Sequence, residues 1–247
     1  MSAALIASLC LVMVATSFLS GLFGMAGGLV LVGVLLFVLP LPAAMALHAV
    51  TQIASNVWRA VFWWRHIVWR IGATYVAGCL AALGVWSVWS FVPSVPVALL
   101  ALGVVPFLAR LIPERLRPVP ERPLHGAGYG ALCMTLMLLT GVAGPVLDQF
   151  FLNGRLDRRE IVATKGLCQI CGHALKLLYF GALIDSAAGV DPMLAGLAIL
   201  ASMTGTALSK KLLEAMREDQ YRRWAGRLVT AIAAYYVAYG AWLAVAV

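Results

Sequence analysis

Residues 4–39 read ALIASLCLVMVATSFLSGLFGMAGGLVLVGVLLFVL, an apolar run without one charged side chain. As a single helix it would extend about 54 Å at 1.5 Å per residue, far beyond the roughly 30 Å hydrocarbon core of a bilayer. The run must break. Gly21, Gly24, Gly27 and Gly28 supply the place, because glycine frees the backbone and does not sustain a helix. Residues 124–152 pose the same problem, and Gly141, Gly144 and Pro145 interrupt them. Each stretch is expected to form a hairpin of two short helices.

Working outward, single crossings are expected over residues 43–64, 71–91, 97–112, 161–184, 193–209 and 224–247, whose lengths suit one passage through a bilayer. Composition agrees: 63% of the 247 residues are hydrophobic and 11% charged, against about 25% charged in an ordinary soluble domain. The fold class is an all-α multi-pass integral membrane protein, and a water-soluble globule is excluded. The net charge of +8 does not point to nucleic acid, because most of the cations sit in short connections between apolar runs. They fall at residues 65–70, 110–122, 155–159 and 210–223. The connections at 40–42, 92–96 and 185–191 hold no Lys or Arg. By the positive-inside rule the four basic connections are cytoplasmic, and both termini lie outside. The first residues lack a positive n-region and are expected to stay as membrane structure, not as a cleaved signal peptide. All five cysteines lie in apolar runs, so buried free thiols are expected and no disulfide scaffold.

A shift of 117 positions pairs Gly24 with Gly141, Ala26 with Ala143, Gly27 with Gly144, Gln52 with Gln169 and Ile53 with Ile170. Arg59 pairs with Lys176 as one cation with another. Matched helix breakers and a matched intramembrane glutamine weigh more than matched Ala or Leu in so apolar a chain. The chain is read as two repeats, residues 1–117 and 118–247, each a broken hairpin plus three crossings. An odd net number of crossings turns the second copy upside down, and the alternation of loop charge agrees. Inverted repeats with Gly/Pro-interrupted segments at matching positions point to a secondary transporter with its site near the midplane.

After each hairpin comes a helix with polar groups on one face: His48, Gln52, Asn56 and Arg59 in the first copy, Lys165, Gln169, His173 and Lys176 in the second. Such groups in a membrane span face a protein interior or a wet cavity. The alternative is interhelical hydrogen bonding, with Arg59 and Lys176 snorkelling to opposite interfaces. Free backbone N–H groups near Gly27, Gly28 and Leu29, and near Gly144, Pro145 and Val146, favour an anion at the half-helix starts, with Pro145 removing one donor. The glycines also admit a reading as close helix packing alone.

The segments GLFGMAGG (21–28), LTGVAGP (139–145) and LDRREIVATKG (156–166), together with the duplication, resemble the TauE/SafE family of sulfite exporters, also called the 4-toluene sulfonate uptake permease family. The resemblance implies a permease of the bacterial inner membrane, working without ATP on sulfite, thiosulfate, sulfonates or related anions. The chain departs from the usual glycine runs at Met25, Ala26, Val142 and Ala143.

Coupled protons are expected on His48, Asp148 or His173, with structural roles for each as the alternative. Cys168 and Cys171 leave open an intramembrane thiol oxidoreductase, against simple packing at i and i+3. A passive anion channel is a third reading. No GxSxG, HExxH or phosphate-binding loop occurs, so no enzyme, cofactor or metal is expected. Trp58, Trp63, Trp64 and Trp69 read as an interfacial belt, or less directly as a stacking surface for an aromatic sulfonate.

Overall fold

A computed structural model describes residues 2–23, 25–61, 63–151, 155–184 and 190–246. The described residues hold ten α-helices and no strand: α1 (Ala3–Phe23), α2 (Ala26–Val38), α3 (Leu41–Val61), α4 (Trp69–Trp89), α5 (Val95–Arg110), α6 (Pro123–Thr140), α7 (Gly144–Phe150), α8 (Arg158–Leu178), α9 (Pro192–Ala215) and α10 (Glu218–Ala246). A π-helical turn, Tyr179–Ile184, prolongs α8. Among the described residues five helical stretches are long and apolar enough to cross a membrane: Ala3–Phe23, Trp69–Trp89, Arg159–Ile184, Pro192–Leu212 and Arg223–Val245. The outer surface is apolar, with Leu11, Val88 and Val245 among the most exposed side chains, as lipid contact requires.

Local chemistry explains the starts of several helices. Pro123 opens α6, Pro192 opens α9 and Pro145 stands second in α7, positions where the missing N–H costs nothing. The start of α8 is a capping box. Asp157 accepts from the N–H of Arg159 at 2.7 Å and of Glu160 at 2.9 Å, while Glu160 accepts from the N–H of Asp157 at 2.9 Å. The backbone hydrogen bonds from Glu160 and Arg159 hold the Asp157 carboxyl below the usual carboxylate range.

The long apolar runs break as expected, though not into equal halves. α1 ends at Phe23 and α2 begins at Ala26, with Met25 between them and Gly24 outside the described residues. α6 ends at Thr140 and α7 begins at Gly144. The first member of each pair is therefore a full-length helix, and the second is short, a correction to the expected pair of short helices. The reason is where the breakers fall: no glycine precedes Gly21 in the first run, so 21 residues complete a helix before the break. The connection expected over 210–223 is also mostly helical, because α9 continues to Ala215 and α10 starts at Glu218. Of the uncharged connection at 185–191, residues 185–189 lie outside the described residues.

The most extensive packing pairs are α1 with α9, α4 with α6, α5 with α10 and α3 with α8. Glycine lets the first two close. A Cβ at Gly205 would strike the carbonyl oxygen of Val14, and one at Gly78 the carbonyl oxygen of Ala127. The basic connections gather at one end: Arg159 lies over the Trp63 ring at 5.3 Å, and the Arg155 N–H donates to Glu121 Oε1 at 2.7 Å. Trp63, Trp64 and Trp69 are exposed beside them, whereas Trp58 is half-buried. At the other end the Tyr179 hydroxyl donates to the Phe91 carbonyl at 2.8 Å, tying the tail of α8 to the uncharged connection after α4.

Candidate functional site

The two breaks meet inside the molecule. A Cβ at Gly144 would come within 2.8 Å of the Met25 Cβ, so the start of α7 lies directly on the break between α1 and α2. Gly141 occupies the left-handed region at φ 88°, which turns the chain out of α6. A Cβ there would stand 2.7 Å from Val32 and 2.9 Å from the Met45 sulfur, so this turn is seated against α2 and α3.

A chain of hydrogen bonds joins the breaks. Lys176 Nζ donates to the Gly141 carbonyl at 2.9 Å and to His48 Nδ1 at 2.7 Å, and His48 Nε2 stands 3.0 Å from the Gly28 carbonyl. A carbonyl oxygen only accepts, so Nε2 carries the ring proton and Nδ1 is left to accept from the ammonium. Both side chains are fully buried. Lys176 does not snorkel to an interface; it holds the second break to the first through His48. The His173 ring, one turn before Lys176 on α8, lies 5.5 Å from His48 between centroids.

The remaining residues divide. Gln52 is buried against the first turn of α2, its Oε1 3.2 Å from where a Gly28 Cβ would be. Asn56 Nδ2 donates to the Gln52 carbonyl at 2.8 Å, a bond within α3. Gly27 packs against Thr16 and Ser20 of α1, and the Leu29 carbonyl accepts from the Tyr236 hydroxyl at 2.8 Å. Gly144 and Val146 are buried in α7. Gln169 is half-buried on α8, less enclosed than Gln52, with which the 117-residue shift aligns it. Asp148 forms an ion pair with Lys165, which brings the first cation of the α8 stripe to α7. The Arg59 side chain lies outside the described residues.

Residues 9–236 match the family model described as sulfite exporter TauE/SafE. The chain belongs to the TauE/SafE family. Membership makes it a multi-pass membrane transporter of sulfite-type anions, in line with its apolar helices. No curated protein and no solved structure matches it. Within this TauE/SafE protein all five cysteines are free, with Cys79, Cys133 and Cys168 buried and Cys171 half-buried. The Cys79 thiol donates to the Gly130 carbonyl at 3.2 Å, across the α4 and α6 contact.

Sequence reasoning missed two polar groups beside the breaks. In the sequence Arg110, the last residue of α5, stands out only as a loop charge, yet it borders a cavity that also touches Met25 and Pro145. Gln149 borders the same cavity, and its Oε1 is buried without a hydrogen-bond partner among the described residues. An amide four residues after Pro145 in an apolar run was the available signal.

Proposed function

We propose that this chain is a secondary transporter of small sulfur oxyanions such as sulfite, thiosulfate or organosulfonates, binding its substrate between the two broken helices and exposing it alternately to either side of a bacterial inner membrane. The single observation that carries the reading is the hydrogen-bonded path from Gly141 through Lys176 and His48 to Gly28. It joins the two elements that must separate if access is to alternate. An anion that took the Lys176 ammonium from Gly141 would exchange a neutral acceptor for a charged one, a stronger hydrogen bond. The bond between the breaks would then open as a consequence of binding. Gln52 stands beside Gly28 and supplies amide N–H donors to the same place.

The halves 1–117 and 118–247 are proposed to be inverted copies that rock against each other. Recurring spacing supports this. α3 and α8 start 117 residues apart and have equal length, while α4 and α9, and α5 and α10, each start 123 residues apart. Packing supports it too, since α1 with α9 corresponds to α6 with α4 under that exchange, and the α3–α8 and α5–α10 pairs map onto themselves. Lys176 sits at the end of α8 remote from the basic connections, so its bonds close the side where the uncharged connections lie. Protons are proposed to couple through His48 and His173, with Asp148 held by Lys165 nearer the basic end.

The test is uptake of radiolabelled sulfite into proteoliposomes. Gln52→Ala and Lys176→Met should each lower the rate at least tenfold while the purified variants keep the wild-type size-exclusion profile. Wild-type rates in both variants would remove the site.

A further inference from the structure

A cavity of about 290 Å³ lies at the basic end of the molecule, and Met25 and Pro145, one from each break, form part of its wall. Arg110 forms another part. Its Nη1 donates to Thr230 Oγ1 at 2.7 Å and its Nη2 to the Gly226 carbonyl at 3.3 Å. Both partners belong to α10 and both are neutral, so among the described residues no carboxylate cancels this guanidinium, and three of its five N–H donors are uncommitted. Asp148 also lines the cavity, but its charge is met by Lys165. Gln149 also lines the cavity, and its Oε1 is enclosed by protein without a hydrogen-bond partner among the described residues. An amide N–H donor on a cavity wall suits an oxyanion, and Gln149 is the amide that stands in this wall. A wider groove borders Arg110 on its outer side, with Arg223 and Arg227 in its wall. Cations along a low-dielectric cleft concentrate anions at its mouth.

We infer that this cavity is a second anion site, a vestibule on the basic side where Arg110 and Gln149 hold a small oxyanion before it reaches the breaks. The inference rests on the transport reading above and adds to it a residue that selects charge at one face of the protein. The cavity is large enough for a sulfite-sized anion with several of its waters, each of which takes about 30 Å³ in the liquid. Arginine suits the task because its planar fork meets two oxygens of an oxyanion at once, which a lysine ammonium does not.

The test isolates the vestibule from the site between the breaks. Sodium sulfite is titrated calorimetrically, at low ionic strength, onto the solubilised full chain carrying Gln52→Ala. Binding should persist and should fall at least tenfold when Arg110→Gln is added. Arg110→Lys should recover part of it. Gln149→Leu, which leaves the contacts to α10 untouched, should weaken binding at least threefold. Thr230→Val removes one support of the guanidinium without removing its charge, and should bind within twofold of its parent. Absence of binding in the Gln52→Ala protein, unchanged binding with Arg110→Gln, or equal losses with Arg110→Gln and Thr230→Val would each overturn the vestibule. Failure of wild-type protein to move sulfite in proteoliposomes would instead overturn the transport reading, whatever the titration gives.

Discussion

At the scale of single residues, Gly141 and Lys176 show how one position serves both fold and site. Gly141 is the only glycine among the described residues with positive φ, and a side chain there would also meet Val32 and Met45. Gly141→Ala combines a left-handed backbone, costing about 1–2 kcal/mol for an L residue, with overpacking of about 1–3 kcal/mol. The variant should lose at least 2 kcal/mol of stability and displace the carbonyl that Lys176 holds. A thermal midpoint within 1 °C of wild type in the same detergent would disprove it. Gly141 was legible in the sequence as a breaker, because a run too long for the bilayer requires one. The partner of Lys176 was not. The 117-residue shift aligns Lys176 with Arg59, whereas the structure pairs it with His48, since a helix face specifies direction but not which residue of a facing helix lies at the same depth. Asp148 was similarly ambiguous until α8 brought Lys165 to it.

At the scale of helices, the contacts that matter join the two halves and use small residues, because lipid supplies no hydrophobic drive for helices to associate. α1 meets α9 through Gly205 and α4 meets α6 through Gly78, each glycine facing the backbone of its partner. Gly205→Val and Gly78→Val should therefore force apart their interfaces. Each should reduce the yield of folded protein severalfold in fluorescence-detected size-exclusion chromatography. Gly84→Val and Gly128→Val, where a Cβ meets nothing within 4 Å, serve as matched controls expected to leave it unchanged. Equal yields from all four variants would mean that close approach does not hold the helices together. The helices themselves were largely readable from apolar length. The continuation of α9 past Lys210 and Lys211 was not, because an apolar window ends at the first charges while backbone hydrogen bonding continues through them.

At the scale of the whole molecule, loop charge and contact geometry carry the same message about sidedness. The segments around Arg65, Arg115, Arg155 and Arg159 are linked at one end through the Trp63–Arg159 and Glu121–Arg155 contacts, and the tail of α8 meets Phe91 at the other. In the proposed orientation, with the basic end in the cytoplasm, the Arg110 cavity would lie towards the inner side and the Lys176 bonds towards the outer side. Labelling of intact cells with a membrane-impermeant maleimide checks this directly. Ser94→Cys, ahead of α5 at the uncharged end, should react from outside, and Leu116→Cys, among the basic residues before α6, only after permeabilisation. The native thiols create little background, as three are buried and Cys10 and Cys171 lie within α1 and α8. Reaction of Leu116→Cys in intact cells would invert the molecule, and the Arg110 vestibule would then receive its anion from outside the cell.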